Sequence, residues 1–294
     1  PSWRTWSTDP GWVVMQAERT FLFTSGNFNQ LCSLHPIDSI VVALTELLSL
    51  YRQHPLHREL VGGGDRKLCL SGLSGSSRAL VIASAVVESR GVHLVILPEK
   101  EEAAYFCSDL TNLLGDGAVL FFPSSYKRAV HLEQVDPGNI ILRTHALDRI
   151  GSAAEKGDAG TVVVTYPEGL SEKVITHRKL KKNTLQLKKG EKISPEFIRE
   201  VLEEYRFRMV DFVFEPGQYS IRGSIVDIFS FSGPFPYRID FFGDEAESIR
   251  SFDVDDQLSR EQYDSINIIP DIHELYLADT SESLLDYLPP DARI

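Results

Sequence analysis

Sulfur is scarce in this chain of 294 residues, which has three cysteines and two methionines. Cys32, Cys69 and Cys107 are odd in number and lack metal-like spacing. That argues against a disulfide framework and for a reducing, cytoplasmic setting. Long apolar runs are missing too. The nearest, Ile37 to Leu50, carries Asp38 and Glu46 and falls short of the roughly 20 residues a membrane span needs. Positive charge is in deficit, with 30 Lys and Arg against 42 Asp and Glu and a formal net charge of -12. Such a balance excludes a protein whose main task is coating nucleic acid, although it leaves room for a local basic contact. Calcium-loop spacing is also absent. The acidic run Asp244, Glu245, Glu247, Asp253, Asp255 and Asp256 reads as a solvated face, and no metal or other cofactor is expected.

What is present is ordinary for a globular protein: 43% hydrophobic and 24% charged residues. The length allows one large or two modest domains. Residues 1–36 hold all three tryptophans without a clear period. They are read as an N-terminal extension with no assigned function, disorder being one reading. Residues 37–167 alternate strand and helix. Helices are expected over Val41–Arg52, Ser77–Arg90, Lys100–Leu114 and Asn139–Ile150. Strands are expected over Lys67–Ser71, Val92–Leu97, Ala118–Phe122 and Thr161–Tyr166. Continuous apolar strands between helices predict a parallel sheet covered on both faces.

The first strand–loop–helix turn is where a phosphate-binding loop would sit. A working loop needs Gly-x-x-x-x-Gly-Lys-Ser/Thr: backbone NH groups cradle phosphate, Lys neutralises it, and the hydroxyl holds magnesium. Here the run is Gly72-Leu-Ser-Gly75-Ser-Ser77-Arg78-Ala79. The second Gly has become Ser77, the Lys Arg78 and the hydroxyl Ala79. Arg is bulkier and differently hydrated than Lys. The strand Thr161–Tyr166 carries no carboxylate that could act on a metal. No catalytic residue is therefore assigned. Two readings of the loop remain: a plain connection, or an anion site on a helix N-terminus.

Residues 168–259 change texture. His177–Lys182 and Lys188–Lys192 are basic, and alternating Leu185 and Leu187 suggest a strand with a turn at Lys189-Gly190. A solvated strand edge and a contact with a partner or nucleic acid are both open. Ser194-Pro195 should cap a helix whose stripe is Phe197, Ile198, Val201, Leu202 and Tyr205. An antiparallel meander should follow: Val210–Phe214, Tyr219–Phe231 with a bulge near Gly223, and Pro236–Phe242. Arg222 then projects from a partly polar surface. It either pairs with a neighbouring carboxylate such as Asp240 or anchors a protein interface. Residues 260–294 are read as a return to the first domain, with a last helix capped near Asp279–Glu282 and ending at Tyr287.

The run Gly217-Gln-Tyr-Ser-Ile-Arg-Gly223, with Ile225–Phe229 and Tyr237–Glu245, resembles the module shared by UvrB and the transcription-repair coupling factors, the Mfd family. UvrB has an intact phosphate loop and a long, Tyr-rich β-hairpin after the third strand. This chain has a degenerate loop, and Phe122–Asp136 has no room for that hairpin, so the coupling factors are the nearer resemblance. It implies an α/β fold: a RecA-like parallel-sheet domain with the degenerate loop, and an inserted small α+β domain with an antiparallel sheet. It also implies a non-catalytic adaptor whose small domain binds UvrA, recruiting excision repair to a stalled RNA polymerase. Polymerase and DNA would be met only through other parts of a longer, translocating protein. The matching arginines are Arg208 and Arg222; a further arginine of UvrB is Ser220 here. Tyr219 and Phe229 match aromatic positions and read as sheet core. The alternative is an ATP-dependent, UvrB-like helicase or damage-verifying enzyme.

Overall fold

The computed structural model describes residues 4–6, 12–16, 46–62, 67–89, 91–128, 131–156, 160–272 and 281–294. The fold is mixed α/β, with a parallel sheet and others antiparallel or mixed, the strand Arg208–Met209 pairing in parallel with Gln218–Arg222. Three parallel strands form the centre of the first module, in the order Val92–Ile96, Thr161–Thr165, Val119–Phe122. The middle strand is Thr-Val-Val-Val-Thr and is buried along its whole length. This is what a central parallel strand covered on both faces requires. The helix Ser77–Glu88, the helix Lys100–Leu114 and the helical residues around Leu48 supply one apolar layer. Leu147 and Ile150 of the helix Pro137–Lys156 supply the other, with Val174, Ile175, Leu284 and Tyr287.

The strand Lys67–Ser71 does not join that sheet. It pairs in parallel with Trp12–Gln16, which pairs with Arg4–Trp6. Two strands thus lie within the stretch read as an N-terminal extension. After Phe122, Tyr126–Arg128 and His131–Val135 pair as a short antiparallel ladder of their own.

A buried cation pins this module together. Arg143 donates to the Pro123 carbonyl at 2.7 Å and the Gly169 carbonyl at 3.2 Å, with its guanidinium 4.2 Å from the Phe122 ring centroid. Glu172 lies 3.4 Å from it and also accepts from Ser124 and Ser125. Charge pairing and carbonyl acceptors together make burial of this guanidinium tolerable.

The second module is a six-stranded sheet, Arg208–Met209, Gln218–Arg222, Ile225–Phe229, Tyr237–Phe242, Glu245–Phe252 and Ser259–Gln262, in chain order. The expected long strand Tyr219–Phe231 is two strands. Arg222 pairs with Ile225, so Gly223-Ser224 is a two-residue hairpin turn rather than a bulge. Gly223 has φ 61° and Gly243, in the next hairpin, φ 60°. A positive φ at the first turn position is the type II′ geometry, which matches strand twist and favours glycine. Residues 210–214 are not a strand, and Glu245–Phe252 is one, with Glu245 and Glu247 exposed on it as a solvated acidic face. Ser194 caps the helix Pro195–Glu204 by accepting from the Phe197 amide. Ile198 and Leu202 are buried against Tyr219, Val226, Ile228, Ile239 and Ile249, whereas Phe197 of the expected stripe is exposed.

The basic stretch divides: His177–Lys182 is a short helix and Leu185–Lys188 a strand. That strand pairs antiparallel with Ser265–Ile268, and Gly190 takes the turn at φ 76°. The chain then returns to the parallel sheet, where Arg293 exchanges backbone hydrogen bonds with Val92 and Leu94. The last helix is Leu284–Tyr287, and its cap is Ser283 rather than the residues before it.

Candidate functional site

Two places carry candidate residues, and they differ in what their side chains are free to do. At the degenerate loop, Gly72 and Gly75 have φ 82° and 55°, and the Ser77 hydroxyl bonds back to the Ser74 carbonyl at 2.7 Å. Arg78 is held by Glu102 at 2.7 Å, with its guanidinium 5.9 Å from the Phe106 ring centroid. Ala79 is fully buried in the apolar layer with Ala83 and Val86. The one cation of the loop thus points to a neighbouring helix, and the position of the metal-binding hydroxyl is core. Helix backbone amides remain.

The second place is the outer face of the six-stranded sheet. Partners across a sheet share a face, and alternate residues of a strand share it too. Register therefore puts Arg208 and Gln218 on one face with Ser220 and Arg222. Asp227 and Arg238, then Asp240 and Arg250, continue that face across the next strands. Both arginines singled out from the sequence lie on the same face, opposite the Pro195–Glu204 helix.

They are held differently. Arg208 has a side chain 69% exposed and a 3.6 Å contact with Glu215. A pair so open to water contributes about 0–1 kcal/mol. Arg222 is 35% exposed and pairs at 2.5 Å with Asp227, whose side chain is 1% exposed. It also donates to the Asp211 carbonyl at 3.0 Å and lies 4.8 Å from the Phe212 ring centroid. The carboxylate opposite Arg222 is thus Asp227; Asp240 pairs with Arg250 at 2.6 Å. Asp227 serves a second cation, accepting from Arg238 at 2.7 and 2.9 Å. That donation raises the Arg238 guanidinium above its ordinary value, despite the opposing cost of burial. Tyr219 is buried as sheet core; Phe229 is buried too, but its pairing with Gln218 puts it on the face of Arg222.

Asp227 was not singled out from the sequence. Its signal was present, one carboxylate in the apolar run Ile-Val-Asp-Ile-Phe, but its partner is visible only once Gly223-Ser224 is a turn. Also unflagged was a cleft of about 720 Å³ between the modules, lined in part by His145, Arg149, Lys181, Tyr237 and Glu261. Burial lowers the His145 imidazole to about 4 and pushes the Tyr237 phenol up to about 12. Its charged lining is of mixed sign and selects no ligand class. Among the described residues, no helix is long and apolar enough to cross a membrane.

Residues 185–273 match the family model described as the UvrB interaction domain. These residues contain the whole six-stranded sheet. The chain is 33% identical to the transcription-repair-coupling factor of Bacillus subtilis over 70% of its own length and 17% of that relative. Against the Escherichia coli protein of the same name the figures are 29%, 71% and 18%. The UvrABC system protein B of Clostridium botulinum is 26% identical over 65% of this chain and 30% of that relative. This bears out the resemblance read from the sequence. The chain spans less than a fifth of the length of these coupling factors.

Proposed function

We propose that this chain is a non-catalytic adaptor that presents the outer face of its small sheet to UvrA, in the coupling of transcription to nucleotide excision repair. The supporting observation is that Arg208 and Arg222 share one sheet face, with side chains partly open to solvent, inside the region matching the UvrB interaction domain. Arg is enriched at protein interfaces because its planar fork makes several directed hydrogen bonds at once. In this reading the first module is a RecA-like scaffold that has lost its phosphate chemistry. Polymerase and DNA are engaged by other parts of a longer, ATP-driven protein, which brings UvrA to a stalled polymerase.

The competing reading, a UvrB-like ATP-dependent enzyme, is disfavoured by the engagement of Arg78 with Glu102 and the burial of Ala79. The deciding experiment is a calorimetric titration of the purified chain with UvrA, comparing wild type with Arg208→Ala and Arg222→Ala. Each variant should bind at least tenfold more weakly, a loss of about 1.4 kcal/mol. Wild-type affinity in both would remove the site assignment. Magnesium-dependent ATP turnover by the chain would favour the competing reading.

A further inference from the structure

Residues 210–217 are neither strand nor helix, yet they are tied down at several points. The Asp211 carbonyl accepts from the Ser220 hydroxyl at 2.9 Å and from Arg222 at 3.0 Å. The Phe214 and Glu215 amides donate to the Gln218 side-chain oxygen at 2.9 and 3.2 Å. Between these ties Val213 is buried, while Phe212 and Phe214 on either side are 54% and 59% exposed. Met209, at the start of the segment, is 59% exposed. Large apolar side chains on a fixed backbone lose little entropy when a partner covers them. An arginine beside aromatic rings is the composition of an interface centre.

We infer that Phe212 and Phe214 are the apolar anchors of the UvrA-docking surface, and that buried Asp227 is a positioning residue that aims Arg222 alongside them. This rests on the reading of the outer face as the UvrA-binding surface. The surface is continuous with that site, because Phe212 packs against Arg222 itself. It also lies inside the matched interaction domain. Arg222 has about a third of its side chain open to a partner, while Asp227 and the Asp211 carbonyl fix its fork from below. Removing Asp227 would leave Arg222 in place but free to rotate away.

The test is titration with purified UvrA, using Phe212→Ala/Phe214→Ala, Asp227→Asn, Arg222→Ala and the double variant Asp227→Asn/Arg222→Ala. Thermal melting first establishes that each is folded. The phenylalanine pair should weaken binding at least tenfold with a melting temperature close to wild type. Asp227→Asn should weaken binding severalfold in the wild-type background and have no further effect once Arg222 is Ala. A merely structural Asp227 would instead weaken binding equally in both backgrounds, and that result would overturn its positioning role. If Arg222→Ala weakens binding while the phenylalanine pair binds like wild type, the anchors are wrong and the docking face survives. If neither Arg222→Ala nor the phenylalanine pair alters affinity, both this inference and the docking face fall.

Discussion

The two modules solve the same problem, covering a sheet, in opposite ways. In the parallel sheet the central strand is buried on both faces, and the buried cation beside it, Arg143, is engaged by carbonyls and Glu172. In the antiparallel sheet only one face meets a helix, and the other carries a charged lattice built around Asp227 and Asp240. At the loop of the first module, Arg78 is engaged by Glu102 and Ala79 is buried. The second leaves Arg208, Arg222 and the phenylalanines beside them at the surface.

The contrast breaks most readily at Arg143. Arg143→Ala should cost about 3–5 kcal/mol, because Glu172 and several carbonyls lose their buried donor. Urea unfolding reads this as a lowered midpoint. A loss as small as that at a surface arginine would mean that the first module is not pinned as described. Leu202→Ala should cost about 2–5 kcal/mol by opening a cavity between helix and sheet, again by urea unfolding.

The junction offers a pH probe. The folded His145 pKa, about 4, lies below the ordinary imidazole value of 6.5. The unfolded chain therefore binds this proton first, so stability is full above about pH 6.5 and falls as pH drops toward 4. The expected slope approaches about 1 kcal/mol per pH unit. His145→Gln should flatten the midpoint-against-pH curve over that window. An unchanged curve would place the imidazole in water.

Gly223→Ala should cost about 1–2 kcal/mol. No atom lies within 4 Å of the added methyl, so the cost is purely that of the positive φ. The smallest effect belongs to Arg208→Ala, under about 0.5 kcal/mol in stability, so that any loss of UvrA binding there is a loss of contact. A large drop in its melting temperature would show that the outer face holds the sheet together as well.

Much of this division was legible in the sequence. Val92–Ile96, Thr161–Thr165 and the helix Lys100–Leu114 announce themselves by continuous apolar runs or helical period, since burial on two faces leaves little ambiguity. The capping of Pro195–Glu204 was equally plain, because Ser-Pro satisfies the helix start locally. The small sheet was harder. Ile225, Val226 and Ile228 follow Tyr219 and Ile221 so closely that the run reads as one strand, and a one-residue change of phase looks like a bulge. Only Gly223, with its positive φ, turns the chain back and brings Asp227 onto the face of Arg222. The ties on residues 210–217 depend on the Gln218 side chain and a Ser220 hydroxyl, which no periodicity marks. The pairing of Lys67–Ser71 outside the parallel sheet is likewise a matter of partners far apart in the chain.

Amide hydrogen exchange on the chain, alone and saturated with UvrA, tests the central claim most directly. The account predicts new protection over residues 208–222 and none at the degenerate loop 72–79. Protection confined to that loop, or an exchange pattern that UvrA leaves unchanged, would contradict it.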